Sequence, residues 1–184
     1  MTDGLTSVFL AILLGWIAWG VASLVVSAPV SIVIGAAAGT LVMVFLRDTI
    51  VISGAMALLE PVGVILPLLI LRQAAGATGW PLPTFSSLEL FIFLVLYVWF
   101  LAASMGVFPV DPYRLGYAPI HVAVMVLMLC LYGLLTGNWF VPFAAVMAQL
   151  LWVMGHGSSN WFDHILHATL VPVVAVVLLL RLMG

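Results

Sequence analysis

Apolar residues along this chain run in long blocks, separated by short clusters of proline, glycine, asparagine and charge. A helix needs about 20 mostly apolar residues to cross a hydrocarbon core of about 30 Å. Seven blocks meet or approach that length: Leu5–Val26, Val30–Leu46, Thr49–Leu71, Leu88–Val107, Pro119–Thr136, Trp139–Gly155 and Trp161–Met183. A backbone in lipid must satisfy its polar groups within the segment, so each block is expected to be a helix. The predicted architecture is all-α, a polytopic membrane helix bundle forming one transmembrane domain over residues 1–184.

The breaks carry turn chemistry. Pro29 follows the first block, Arg47-Asp48 divides the second from the third, and Gly76, Gly79, Pro81 and Pro83 mark the longest loop. Pro109, Pro112 and Pro119 mark the next, and Gly137-Asn138 a tight turn. Ser86-x-x-Glu89 reads as a capping box, which accounts for Glu89 structurally. Asn138-Trp139-Phe140 and Asn160-Trp161-Phe162 each place an N-cap residue and interface aromatics at a helix start. Pro61 and Pro67 are expected to break the third helix. The second block is short, and only two polar residues separate it from the third, so six crossings plus a re-entrant segment is the alternative to seven. Gly35-Ala-Ala-Ala-Gly39 offers a small-residue face for close helix packing, and Ala18-x-x-x-Ala22 a weaker one.

Composition sharpens this reading. Two thirds of the residues are hydrophobic and 5% are charged, against about 25% in a soluble domain, so lipid is the expected solvent. The opening residues lack a basic n-region, and their apolar run exceeds that of a signal peptide, so they read as a first permanent span. There is no lysine, which excludes a retinal Schiff base, and the four arginines are scattered, which excludes a nucleic-acid surface. A single cysteine, Cys130, excludes an intrachain disulfide and a multi-cysteine metal site.

The chemistry is concentrated in few residues. If the last four blocks alternate across the bilayer, His121, His156, His164 and His167 cluster toward one membrane face, with Asp111, Arg114 and Asp163. On one continuous helix, His164 and His167 are i,i+3 neighbours and Asp163 and His167 are i,i+4 neighbours. Imidazoles with a carboxylate can bind a divalent metal or relay protons, and His121 opposite His164 or His167 could hold haem b. A membrane diiron site would need more histidines than the four present. Ser158 in Gly155-His-Gly-Ser158 reads as a turn residue instead of a nucleophile.

The other candidate is Glu60, twelfth in its block and so near mid-bilayer, followed by Pro61 and close to Gly54, Gly63 and Pro67. A buried acid beside a broken helix points to a transporter site. Gln149, midway along the sixth block, is a candidate member of the same polar pocket.

The leading expectation is transport or conduction of a small solute or ion, with Glu60 as the midplane group. The alternatives are a membrane subunit binding haem b or a metal, and a structural or assembly subunit. A non-enzyme is favoured, in a bacterial inner membrane, as a homo-oligomer or a subunit of a membrane complex. Arg72 and Arg181 place the C-terminus on the cytoplasmic side by a narrow count.

Overall fold

A computed structural model describes residues 2–60, 63–80 and 82–183, apart from the side chains of residues 2, 3, 58 and 59. The chain folds as two compact units, Met1–Leu82 and Pro83–Gly184. The first holds α1 (Thr2–Ala22), α2 (Ala28–Leu46), α3 (Ile50–Leu59) and α4 (Ile65–Ala77). The second holds α5 (Ser87–Ser104), a 3-10 turn (Pro112–Tyr117), α6 (Pro119–Thr136), α7 (Phe140–Val153), α8 (Trp161–Ile165) and α9 (Leu170–Met183). No strand occurs among the described residues.

Among the described residues, four helices are long and apolar enough to cross a membrane: Gly4–Ala22 within α1, then α2, α5 and α6. Three more, α4, α7 and α9, are apolar but shorter. This all-helical, apolar architecture suits a membrane protein. The second block, expected to be the weakest, forms a 19-residue helix. The short pieces lie in the third block, where α3 has 10 residues and α4 has 13.

Proline position explains where helices begin. Pro29, Pro67, Pro119, Pro142 and Pro172 each fall within the first three residues of α2, α4, α6, α7 and α9. In a first turn the missing N–H is not needed, while the ring obstructs helix further upstream. Pro67 therefore opens α4 and does not interrupt it. Pro61 lies outside the described residues. The same logic corrects the last block, where a continuous helix over Trp161–Met183 was expected. Pro172 is incompatible with helix through Ala168, four residues earlier. The chain accordingly leaves α8 at Leu166, in extended backbone (φ −107°, ψ 154°), and re-enters helix at Leu170. His167 thus lies in a non-helical break, and its expected i,i+3 and i,i+4 helical partnerships do not exist.

In the first unit, α1 and α2 form an antiparallel hairpin joined by residues 23–27, and the hairpin closes on glycine. Gly35 faces Gly15 and Trp19, and a Cβ built on it would lie 2.5 Å from the Gly15 carbonyl oxygen and 2.7 Å from the Trp19 Cβ. A Cβ on Gly39 would collide with the Ala11 carbonyl oxygen and stand 2.8 Å from the Gly15 nitrogen. Ser31, Gly35, Gly39 and Met43 form the buried stripe of α2. Leu10, Met43 and Ile52 make a small apolar core nearby. In lipid no hydrophobic driving force joins two helices, so close van der Waals packing at small residues has to supply the attraction.

In the second unit, α5 opens with the full capping box, Ser86 accepting from the Glu89 amide (3.2 Å) and Glu89 from the Ser86 amide (2.6 Å). Tyr132 of α6 donates its hydroxyl to the same Glu89 carboxylate, tying α6 to the start of α5. Arg181, in the last turn of α9, donates to the Phe85 carbonyl (2.9 Å) and binds the same corner. Gly137, at φ 70°, ends α6 in the left-handed conformation and turns the chain into α7.

Replacing Gly35 or Gly39 by alanine should destabilise the hairpin by about 1–3 kcal/mol, the usual range for overpacking. Gly20→Ala, where nothing lies within 4 Å of an added Cβ, should be neutral or stabilising. Thermal unfolding of the three variants in one detergent checks this. Equal midpoints would reject the packing account.

Candidate functional site

The densest polar constellation of the second unit lies where the 3-10 turn meets the loop before α8. Asn160 is its centre and is completely buried. Its side-chain oxygen accepts from the Phe162 amide (2.9 Å), which caps α8, and its Nδ2 donates to the Tyr113 carbonyl (2.7 Å). One amide therefore satisfies a helix start and a loop carbonyl together. Gly116 sits so close beneath it that a Cβ there would collide with the Asn160 side-chain oxygen.

Asp163 is the charged member. One carboxylate oxygen accepts from the Tyr113 hydroxyl (2.7 Å) and from Ser158 Oγ (2.5 Å). Ser158 Oγ also accepts from the Asn160 amide (3.0 Å), and Trp152 Nε1 donates to the Ser159 carbonyl (2.8 Å). Phe162 packs on Phe100 of α5 with ring centroids 4.6 Å apart, and on Tyr113 at 6.4 Å. Burial, and next the hydrogen bond to Asp163, push the Tyr113 phenol above the ordinary tyrosine range.

Three histidines lie in or beside this region. His164, 4% exposed, has Nε2 2.8 Å from the Ser158 carbonyl. A carbonyl can only accept, so Nε2 carries the proton and is not a free ligand atom. His167 Nδ1 lies 2.7 Å from the Thr169 hydroxyl and accepts from the Thr169 amide at 3.3 Å, just ahead of α9. His156 is half-buried, and its Nδ1 is buried without a hydrogen-bond partner among the described residues. His121, in the first turn of α6, is exposed. Among the described residues no group of three or more His, Cys, Asp or Glu side chains converges to hold a metal ion. The structure thus brings together Asp163, His164 and Ser158, with Tyr113 and Asn160, and gives them hydrogen-bonding partners in each other.

Ser, His and Asp in contact invite a hydrolytic reading, which the geometry denies. The imidazole meets the Ser158 carbonyl, whereas Ser158 Oγ donates to Asp163 directly. No base lies between nucleophile and acid, as a triad requires. The constellation locks two loops.

The remaining candidates lie elsewhere. Glu60 terminates α3 in extended backbone (φ −84°, ψ 133°) and is exposed. Gln149 is half-buried on α7, with its side-chain oxygen buried and without a hydrogen-bond partner among the described residues. Sequence reasoning missed Tyr113, whose signal was a tyrosine beside Pro112 in a loop expected to share a membrane face with the His156–Asp163 loop.

No family model, curated protein or solved structure gives a significant match to this chain.

Two outcomes test the lock. Asn160→Ala should lower stability by about 1–3 kcal/mol, because it leaves a buried carbonyl and amide unpaired. An unchanged unfolding midpoint would argue against it. For Tyr113 the folded-state pKa is raised, so its contribution is complete below the unfolded value of about 10 and is lost as pH rises through the folded value. Tyr113→Phe should therefore lose stability relative to the parent at neutral pH, and the gap should narrow above pH of about 10. A gap independent of pH would contradict the assignment.

Proposed function

We propose that the chain is a small membrane carrier or channel for a small solute or ion, with Glu60 as its central polar group. The supporting observation is the interruption of an apolar segment at a carboxylate. Helix α3 ends at Leu59, Glu60 is in extended backbone, and α4 starts at Ile65. Ten helical residues rise about 15 Å, half of a hydrocarbon core of about 30 Å, so an upright α3 would carry Glu60 to mid-membrane. Paired half-helices with polar groups at the break are how transporters build a midplane site, since the interrupted backbone offers unpaired groups to a solute.

The exposure of Glu60 agrees with such a role. A charged carboxylate in lipid costs about 2.5–3.5 kcal/mol on insertion scales, so it calls for a water-filled path or a neighbouring subunit. The proposal accordingly includes seven crossings, counting α3 with α4 and α8 with α9. It also includes an oligomeric or complexed state, a bacterial inner membrane, and a cytoplasmic C-terminus following Arg181. Gln149 is the second polar candidate, a buried side-chain oxygen on α7 without a hydrogen-bond partner among the described residues. The haem or metal alternative gains no support from the geometry, in which His164 and His167 already bond within their own loops.

Proteoliposomes loaded with a pH-sensitive dye test this for protons and for a panel of monovalent cations. Glu60→Gln should abolish the pH dependence of flux and reduce its rate at least about tenfold, equivalent to about 1.4 kcal/mol in the barrier. Flux and pH profile both equal to the parent's would remove Glu60 from the mechanism. Gln149→Leu deletes an unpaired buried acceptor, so it should preserve or raise thermal stability. A fall in flux without a fall in stability would identify Gln149 as part of the path.

A further inference from the structure

The first unit carries a groove of about 410 Å³ that the transport proposal does not use. Its walls are one face of α1 from Ser7 to Trp19, one face of α2 from Ile32 to Val44, and Ile70, Leu71 and Ala74 of α4. We infer that this groove binds one acyl chain of a membrane glycerophospholipid.

The chemistry of the walls selects the occupant. The lining is dominated by Val, Ile, Leu, Ala, Met and Trp side chains. Two of its few polar groups are already satisfied within the protein. Thr40 Oγ1 donates to the Ala36 carbonyl of its own helix (2.8 Å), and Trp16 Nε1 donates to the Gln73 side chain (2.9 Å). A polar solute entering here would give up water and find these groups taken, losing hydrogen bonds that the groove does not replace. A hydrocarbon chain gives up nothing.

Shape and location select the same ligand. From Ser7 to Trp19 the wall of α1 rises about 18 Å, close to the single leaflet that one acyl chain spans in a hydrocarbon core of about 30 Å. Both α1 and α2 are long and apolar enough to cross the membrane, so the groove runs along spans whose solvent is lipid. Ala36 on α2 is exposed, and with Ala74 on α4 it leaves the space that larger residues would fill. The glycines that hold α1 to α2 lie mainly on the buried stripe, so the groove can be filled while Gly35 and Gly39 stay intact.

The test uses the full chain reconstituted into palmitoyl-oleoyl phosphatidylethanolamine bilayers, re-extracted in mild detergent and weighed by native mass spectrometry. The parent should retain one lipid per chain through detergent washing. Ala36→Phe, which fills the groove from α2, should lose the lipid-bound peak, and Ala74→Leu should do so from the α4 wall if the first variant folds poorly. A parent that retains no lipid overturns the assignment, as does equal retention in a folded variant. Lipid-free dimers that the Phe substitution dissociates would also overturn it, giving the groove to a second copy. Flux through the Glu60 pathway is a separate readout, so failure here leaves the transport proposal standing.

Discussion

A peptide group taken out of water without a hydrogen-bond partner costs several kcal/mol, and many features of this chain answer that constraint. The helices satisfy their interiors. Their ends and the loops between them need partners, and side chains supply these. Asn160, Trp152, His164 and Arg181 direct donors at the carbonyls of Tyr113, Ser159, Ser158 and Phe85. Ser23, Ser31, Thr40 and Ser104 return their hydroxyls to carbonyls of the preceding turn. Proline enters five helices where its missing N–H leaves no donor to satisfy.

The two units meet this constraint by different means. In the first, α1 and α2 approach through Gly15, Gly35 and Gly39 until backbone nearly touches backbone. That contact needs no polar side chain and works in lipid, where apolar side chains gain little by leaving their solvent. In the second, the 3-10 turn and the loop before α8 are drawn together by an aromatic stack around Phe162 and by the Asn160–Tyr113–Asp163–Ser158 network. A network with every member satisfied is rigid, and a single deletion leaves buried groups unpaired.

This division bears on function. Chemically conspicuous side chains, Asp163 and His164 foremost, are committed to holding loops, so reactive residue types are a poor guide to reactivity here. The groups left over are more informative. Glu60 stands where an apolar segment stops being helical, and the Gln149 oxygen is buried without a partner among the described residues. Both are polar groups within apolar stretches, and the transport proposal rests on the first of them.

By itself the sequence determined the helical class and several local devices, because these follow from composition and near neighbours. Long apolar runs with 5% charge suit membrane helices. The Ser86–Glu89 box and the Asn160 cap are written within four residues. The break between α8 and α9 is also legible, since Pro172 obstructs helix upstream, although the block stays apolar on both sides of it. What only the tertiary structure decided was which side chains answer which backbone groups across long separations. The Tyr113 hydroxyl reaches Asp163 fifty residues on, and Gly116 yields its side-chain space to Asn160. Such pairings depend on how loops meet in space, and a hydrogen-bonding side chain in a sequence does not reveal whether its partner will be a metal, a solute or the protein's own backbone.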